Sequence, residues 1–319
     1  MLKSLRYSFA VFIIAGPGVA GSANATQIAL SSWTPEFVGI DAAQATFSNS
    51  KAYIDRIDLT ALDIRFEVTP QSGSQATIAQ TTSQFLLSSG TQVATNANFF
   101  APCCNAVPEP KSLLGLSVSD GTVISPAAFG SDDAAASLLI STTNKASIHP
   151  PSAMGPIDLS NVFNAVSGNL IVSDGVNVSS ITPTGAPHDP FGLDPRTDVG
   201  LSQDGRYLYL VAIDGRQPSY SVGVTTSDAA DLLLALGAYE GLNLDGGGST
   251  ALVQSDGKGG AEIINRPSGG TERYNGNNLG VFAAPLPVPE PSYFAVFVTG
   301  FVSLFASTAR RVATRPKSN

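Results

Sequence analysis

The stretch VGLSQDGRYLYLVAID, residues 199–214, holds the clearest strand signal of the chain. Its two apolar runs flank a polar turn, a pattern typical of a β-hairpin. The second run, from Tyr207 to Ile213, is apolar on both of the faces that a strand presents. Strands that are buried on both faces lie inside a sheet rather than at its edge. The pattern therefore predicts a central strand that ends at Asp214.

Further strands are predicted on either side of this hairpin. LLGLSVSDGTVISP (113–126) and VSGNLIVSDGVNV (166–178) each carry an Asp-Gly turn signal between two apolar runs, at residues 120–121 and 174–175. ALDIRFEV (61–68) alternates apolar and polar residues as a half-buried strand does. TQVATNANFF (91–100) predicts a strand that runs into a polar corner.

Two helices are predicted among these strands. TTSQFLLSSG (81–90) begins with hydroxyl residues and ends at a glycine. A second helix is predicted to begin at Ser227 as its cap, to bury a stripe of Ala and Leu residues and to end at Gly237. Dispersed helices among many strands indicate an α+β fold, a single domain of mixed, mostly antiparallel β-sheets with a few packed helices. The Pro-, Gly- and Asp-rich residues 182–198 predict a long loop, of the kind that is often functional.

Both ends of the chain carry signals for export. Residues 1–25 combine Lys3 and Arg6 with a short apolar run and an Ala-Asn-Ala site, and this predicts a secretory signal peptide. Residues 285–319 contain VPEPS, an apolar segment and an arginine cluster, an order that resembles a PEP-CTERM sorting signal. The resemblance implies processing by an exosortase, transient membrane association through the tail, and a secreted or cell-surface protein of a Gram-negative bacterium. A plain C-terminal anchor is the alternative.

Residues 26–284 are left as one predicted globular domain. The chain has a formal net charge of −8 and no basic stripe, which argues against nucleic acid as a partner. Its two cysteines, Cys103 and Cys104, are adjacent. Two neighbouring thiols cannot form a zinc site by themselves, and either a disulfide or two free thiols fits an oxidising compartment.

The segment LNLDGGGST, residues 242–250, is the strongest candidate for a functional site. It lacks the lysine of a Walker phosphate loop, the following helix of a dinucleotide-binding turn and the last glycine of a nucleophile elbow. Strand alternation places Asn243 and Asp245 on one polar face. Three glycines would allow backbone N–H groups to approach an anion beside a carboxylate.

Several segments in order extend this observation. DPRTDVGLSQDG (194–205), VAIDGRQPSYSVGVT (211–225), LNLDGGGSTALV (242–253) and INRPSGGTERYNGNNLGVF (264–282), with NANFF (96–100) and AVSGNLIVSDG (165–175), resemble the phosphodiester glycosidase family. The resemblance covers about residues 63–283. It implies hydrolysis of a phosphodiester at the anomeric carbon of a sugar, which releases the sugar and a phosphomonoester. Two departures stand out: Asn98 replaces a glycine, and Asp194 lies where many members have a histidine, with His188 out of register.

The resemblance and the chemistry together give the predicted site. Asp245 and Asp214 are the predicted catalytic carboxylates, with the choice between base and nucleophile left open. Guanidinium groups suit a phosphodiester because one fork binds two oxygens. The predicted substrate- and phosphate-binding residues are Arg196, Thr197, Arg216, Asn96, Asn98, Gly246, Gly247, Gly248, Ser249, Thr250, Asn243 and Arg266.

Three alternatives accompany this prediction. Arg216 and Arg266 could instead form structural pairs with Asp214 and Glu262. No cofactor is predicted, although two acids beside a glycine turn could hold a divalent cation. The expected function is that of an exported hydrolase of envelope or exopolysaccharide metabolism. The alternative is a non-catalytic surface or matrix protein that binds glycans on the same fold.

Overall fold

Alternating apolar residues along the strands build two main β-sheets that share one apolar interior. The computed structural model describes residues 27–128, 134–151, 157–179 and 192–287. The residues up to Pro285 form one unit, and of the second unit, 286–319, only Leu286 and Pro287 are described. The predicted signal peptide and nearly all of the predicted sorting tail therefore lie outside the described residues.

In chain order the helices and strands have the following bounds. The strands are β1 (Ala29–Leu30), β2 (Thr34–Phe37), β3 (Ile40–Phe47), β4 (Ser50–Asp58), β5 (Arg65–Val68), β6 (Thr77–Ile78), β7 (Val93–Asn96), β8 (Phe100–Ala101), β9 (Pro110–Leu113), β10 (Ser117–Ser119), β11 (Thr122–Ser125), β12 (Ala136–Ile140), β13 (Ala146–His149), β14 (Asn164–Ser173), β15 (Val176–Asn177), β16 (Arg196–Ser202), β17 (Tyr207–Ile213), β18 (Ala238–Asn243), β19 (Leu252–Ser255), β20 (Ala261–Ile263) and β21 (Asn278–Phe282). The α-helices are α1 (Thr82–Ser89) and α2 (Thr226–Leu236).

The larger sheet follows the order β1-β3-β4-β17-β16-β18-β14-β10-β11, with β2, β12, β13 and β15 paired beside this path. The smaller sheet follows β20-β19-β7-β21-β5, and β6, β9 and β8 form a short third sheet. Every strand pairing within the described ranges is antiparallel. The mostly antiparallel, single-domain α+β prediction agrees with this architecture, in which strands dominate.

The apolar interior lies between the two main sheets. Ile57, Val199 and Leu210 of the larger sheet and Val93 and Leu279 of the smaller sheet belong to one buried cluster. β17 lies between β4 and β16, and its residues are buried on both faces. The prediction of a central strand over residues 207–213 is confirmed.

Each helix covers the outer face of one sheet. Leu232 and Leu233 of α2 pack with Val211 of the larger sheet. Phe85 of α1 packs with Val253 of the smaller sheet. Burial of one such side chain contributes about 2 kcal/mol, and the result is a helix–sheet–sheet–helix sandwich.

The predicted turns and helix ends agree with the structure, with two corrections. The Asp-Gly pairs at 120–121 and 174–175 both adopt positive φ angles and connect antiparallel strands. Helix α1 is capped by Thr81 and ends at Gly90, as its sequence predicts. Helix α2 is capped by Thr225 and not by Ser227, because the Thr225 hydroxyl accepts from the Asp228 amide at 3.1 Å while the Asp228 carboxylate accepts from the Thr225 amide.

The second correction concerns residues 61–68. Only Arg65–Val68 forms a strand, because Asp63 adopts a left-handed φ of 66° and Leu62 is exposed. The chain turns there before it enters the smaller sheet. No helix in the described part of the chain is long and apolar enough to cross a membrane.

Candidate functional site

The predicted site residues gather at one end of the sandwich. Strands β17 and β18 run antiparallel to β16, so the end of each lies beside the start of β16. Arg196 pairs with Ile213, and Asp198 pairs with Asn243. The DGGGST segment leaves the sheet at this end, directly after β18.

Asn96, the last residue of β7, ties this segment to both sheets. Its Nδ2 donates to the carbonyl of Asp245 at 2.5 Å, and its Oδ1 accepts from Thr197 Oγ1 at 2.8 Å and from the Ala251 amide at 3.1 Å. Asn96 and Thr197 are fully buried. Asn96 therefore holds the two ends of the glycine segment, the Thr197 hydroxyl supports Asn96, and the polar side-chain atoms of both residues are already bonded within the protein.

Each of the three glycines allows a different close approach. A Cβ on Gly246 would lie 2.8 Å from the carbonyl oxygen of Pro195. Gly247 has a φ of 62° and packs under the guanidinium of Arg216. A Cβ on Gly248 would overlap the guanidinium of Arg273. The segment is therefore built to bring backbone and guanidinium groups together.

Three of the backbone N–H groups of the glycine segment are bonded within the protein. The amides of Gly247, Ser249 and Thr250 donate to the carbonyls of Pro195, Gly246 and Gly247 at 2.9, 3.1 and 3.4 Å. Residues 247–249 form a short 3₁₀ turn that uses these donors internally. Two arginine side chains also lie against this segment, at Gly247 and Gly248.

Arg216 is the first of these arginines. It has a left-handed φ of 58°, and its Nε donates to Asp194 Oδ1 at 2.8 Å. Half of its side chain is exposed to solvent. Gly223 permits the local fold, because a Cβ there would lie 2.7 Å from the Asp194 backbone. The proposed structural pair of Arg216 with Asp214 is wrong, since Arg216 pairs with Asp194.

Arg273 is the second arginine, and it is not among the site residues predicted from the sequence. Its Nη1 donates to Ser249 Oγ at 3.2 Å and lies 3.8 Å from Cys103 Sγ. Burial lowers the pKa of the Arg273 guanidinium, and repulsion by Arg216 lowers it further, while the charge of Asp245 opposes both effects. Two cations and one carboxylate therefore act on one another at the glycine segment. Arg273 lies in the INRPSGGTERYNGNNLGVF segment, but only the approach to Gly248 distinguishes it from other arginines.

Asp214 is buried and bonded on both carboxylate oxygens. Its Oδ1 accepts from Asn265 Nδ2 at 3.0 Å, and the Arg266 amide donates to Oδ1 at 2.9 Å and to Oδ2 at 3.0 Å. Burial raises the pKa of Asp214, and the hydrogen bonds from Asn265, Arg266 and Tyr220 oppose this rise. Asn265 Nδ2 also donates to the Thr250 carbonyl at 3.2 Å. Asp214 thus joins the loop after β20 to the end of the glycine segment.

Arg266 itself points elsewhere. Its guanidinium lies 4.9 Å from the ring centroid of Tyr220, while Lys51 lies 4.1 Å from the same centroid. The Tyr220 hydroxyl in turn is 2.6 Å from the Tyr53 hydroxyl. Arg266 therefore contributes its backbone amide to Asp214 and packs its side chain on an aromatic ring.

Three other predicted binding residues serve internal contacts. Arg196 is buried, and its Nε and Nη2 donate to the carbonyls of Val224 at 3.1 Å and Gly192 at 2.8 Å. Asn243 Nδ2 donates to the Thr197 carbonyl and to Asp198 Oδ1. The Asn98 amide contacts the Leu114 and Leu116 carbonyls, the Ser167 amide and Asn277. The structure thus gives the family-atypical Asn98 a role in joining β7 to its neighbours.

Cys103 and Cys104 form a disulfide. Within the described ranges no group of three or more His, Cys, Asp or Glu side chains lies close enough together to hold a metal ion. The divalent cation therefore stays a sequence prediction.

Comparisons with known proteins agree with the segments on which the site is built. The profile of the phosphodiester glycosidase family matches residues 89–282. This range contains Asp214, Asp245, Arg216 and Arg273 and the whole glycine segment. No curated protein sequence matches the chain.

Solved structures share the fold at low sequence identity. A hypothetical protein from Synechocystis has a TM-score of 0.54 at 18% identity, over 77% of this chain and 62% of that protein. A putative exported protein from Burkholderia pseudomallei has a TM-score of 0.54 at 15% identity, over 75% and 77% of the two chains. The catalytic domain of zebrafish N-acetylglucosamine-1-phosphodiester α-N-acetylglucosaminidase, auto-inhibited by its pro-peptide, has a TM-score of 0.52 at 15% identity, over 82% and 85%.

Proposed function

The chain belongs to the phosphodiester glycosidase family, and from this premise we propose that it is an exported hydrolase of sugar-1-phosphodiesters. It would cleave the bond between the anomeric carbon and the phosphate oxygen and release the sugar and a phosphomonoester. The substrate would come from envelope or exopolysaccharide metabolism. Asp245, Arg216 and Arg273 would contact the substrate.

The observation that supports this proposal is the convergence of two guanidinium groups on one short segment. Arg216 packs on Gly247, Arg273 packs on Gly248, and the two arginines repel each other strongly enough to affect the pKa of Arg273. A bound phosphodiester between them would offset this repulsion and accept hydrogen bonds from both. The glycines let both guanidinium groups lie against the backbone of the segment, since any side chain at residue 248 would displace Arg273.

Asp245 supplies the carboxylate that the reaction needs beside the anion. It is buried, and its charge acts on Arg273. Cleavage at the anomeric carbon develops positive charge on the sugar, which a neighbouring carboxylate stabilises, while a carboxylate can also activate water or attack the carbon. The leaving group is a phosphomonoester that is stabilised by two arginines, so protonation by a strong general acid is less necessary.

Asp214 takes a different part in this proposal. Its carboxylate is bonded to Asn265 and to the Arg266 amide. It therefore positions the loop against the end of the glycine segment at Thr250. We assign it as a positioning residue and Asp245 as the catalytic one.

The test is turnover of sugar-1-phosphodiesters by the full chain and by Asp245→Asn. The proposal predicts released sugar with the native protein and a loss of kcat of at least about 10²-fold in the variant. Glu262→Gln, at an exposed glutamate of β20, is the control and should leave kcat unchanged. NMR of the first anomer released would separate a nucleophilic from a base role of Asp245, because the former retains and the latter inverts the configuration.

Turnover also decides between the enzyme and its rival. A non-catalytic glycan-binding protein on the same fold would bind these diesters without releasing sugar. Equal turnover by Asp245→Asn and the native chain would remove Asp245 from the catalytic machinery. The buried carboxylate of Asp245, whose charge acts on Arg273, favours the enzyme, since binding of an anionic diester alone does not require a neighbouring carboxylate.

Export is the second part of the proposal. It rests on the predicted signal peptide (1–25) and the PEP-CTERM-like tail (285–319), and the similar Burkholderia protein is named a putative exported protein. Fractionation of expressing cells should place the protein outside the cytoplasm, with a mature N-terminus near Thr26. Processing by an exosortase should also remove the mass of the tail. A cytoplasmic protein with its original N-terminus would contradict this part alone.

A further inference from the structure

A hairpin loop with an apolar surface lies beside the cationic pair. Residues 102–109 connect β8 to β9 at the edge of the short third sheet. Residues 102–108, Pro-Cys-Cys-Asn-Ala-Val-Pro, are all exposed, and Asn105 is the only one with a polar side chain. Contiguous exposed apolar surface is a common feature of binding sites.

Internal bonds hold this loop in place. Lys111 is fully buried, and its ammonium donates to the Pro102 carbonyl and to the Glu109 carboxylate. Asn105 Nδ2 donates to both Glu109 oxygens, at 2.8 and 2.9 Å. The amide nitrogen of the single polar side chain of residues 102–108 is therefore already bonded, and the side chains of the other six residues carry no strong hydrogen-bonding group.

The loop touches the site through Cys103. Its sulfur lies 3.8 Å from Arg273 Nη1, and the same nitrogen donates to Ser249 Oγ at 3.2 Å. The disulfide between Cys103 and Cys104 leaves no thiol proton to donate. A phosphate that is held by Arg273 would thus have the loop as its neighbour on that side.

We propose that residues 102–108 bind the second ester group of the substrate and select an apolar one, an alkyl or lipid-like alcohol, over a hydroxyl-rich one. The inference rests on the proposed function, because it takes the phosphodiester as the group between Arg216 and Arg273. A sugar in this place would find only one side-chain acceptor for its several hydroxyls on the loop, the Oδ1 atom of Asn105. An alkyl chain removes apolar surface from water on both sides of the contact.

The test compares diesters that differ only in this group. The kcat/KM of the full chain is measured with one sugar-1-phosphate esterified to methanol, to octanol or to a second sugar. The octyl diester should exceed the methyl diester by about tenfold, the gain expected from burying two methylene groups. Val107, which is 53% exposed, is changed to serine, and the octyl preference should fall at least about threefold while the methyl rate stays the same.

A matched control variant and a binding measurement that does not depend on turnover complete the test. Val176→Ser changes a valine of 58% exposure in β15 and should leave both rates unchanged. Calorimetric binding of methyl octyl phosphate and dimethyl phosphate should show the same preference and the same loss in Val107→Ser. Equal affinity for the two phosphates would overturn the inference. So would a higher kcat/KM with the second-sugar diester than with the octyl diester. Preferential binding of methyl octyl phosphate without hydrolysis of any diester would instead contradict the proposed function and support the apolar binding surface.

Discussion

Asp194 Oδ1 accepts a hydrogen bond from Arg216 Nε at 2.8 Å, and this ion pair holds Arg216 over Gly247. Asp194 is the residue that departs from the histidine of many family members. The pair is partly exposed, so it contributes at most about 1 kcal/mol to folding. Its effect is to fix the direction of a guanidinium group that half faces solvent.

Removal of this carboxylate should weaken substrate binding more than folding. Asp194→Ala frees the Arg216 side chain, and we expect KM for a sugar-1-phosphodiester to rise about fivefold with kcat changed less than twofold. The matched control is Asp41→Ala, which breaks the 2.7 Å pair with Arg56. That pair is also partly exposed but lies at β3 and β4. Equal effects of the two variants on KM would show that the Asp194 pair has no role in binding.

Gly248 should be intolerant of even one methyl group. A Cβ at residue 248 would overlap the Arg273 guanidinium, so Gly248→Ala is expected to displace Arg273 and lower kcat/KM at least tenfold. The comparison is Gly269→Ala, where the nearest atom, the Thr271 carbonyl oxygen, is 3.9 Å from the added Cβ. Steady-state kinetics and thermal unfolding of both variants check this. Normal activity in Gly248→Ala would mean that Arg273 need not lie on the glycine segment.

Arg196 and Arg273 should respond in opposite ways to the same substitution. Arg196→Lys loses the fork that spans the Val224 and Gly192 carbonyls, and we expect the free energy of unfolding to fall by about 1–3 kcal/mol. Arg273→Lys should leave unfolding nearly unchanged and raise KM about tenfold. Urea denaturation and kinetics of both variants give the two readouts. A raised KM in Arg196→Lys, with a loss of stability only in Arg273→Lys, would instead support the sequence prediction that Arg196 binds the phosphate.

How much the sequence reveals depends on the range of the interaction. The strand over residues 207–213 and both helices follow from local periodicity and caps, which the sequence shows directly. The cap at Thr225 rather than Ser227 was missed because both residues are hydroxyl-bearing, and only the reciprocal bond with Asp228 distinguishes them. Local patterns set the elements, and their exact ends depend on such single contacts.

The site was predicted as a set of segments but not as a set of contacts. The position of Asp245 beside three glycines could be read from the sequence. The proximity of Arg273 could not, because Gly248 and Arg273 come together only through the packing of two distant segments. For the same reason the sequence could not show that Arg196 donates to the Val224 and Gly192 carbonyls.

A buried carboxyl outside the site should make stability depend on pH. Asp55 lies on β4 and is 1% exposed. Its Oδ1 accepts from Gln254 Nε2 at 2.8 Å, while its Oδ2 has no partner among the described residues. Burial raises the pKa of Asp55 to about 7, with a smaller contribution from the charge of Glu36 and against the hydrogen bond from Gln254. The folded protein thus keeps this carboxyl protonated where the unfolded chain ionises it.

The sign of the effect follows from linkage. Below about pH 4 both states hold the proton, and the contribution of Asp55 to stability is fully present. Between about pH 4 and pH 7 the unfolded state releases the proton first, so the free energy of unfolding falls as pH rises. Asp55→Asn keeps the acceptor for Gln254 and cannot ionise. The stability of Asp55→Asn relative to the native protein should therefore rise by roughly 4 kcal/mol from pH 4 to pH 8.

Urea denaturation at pH 4.5, 6 and 8 measures this difference. Asp63→Asn changes an exposed aspartate and is the control for a general effect of removing one carboxylate. Asp198 is also fully buried, with burial raising its pKa to about 7, so the native protein and Asp55→Asn share its contribution in the same pH range. Because that contribution cancels in the comparison, a constant stability difference between Asp55→Asn and the native protein across these pH values would mean that Asp55 is ionised in the folded state.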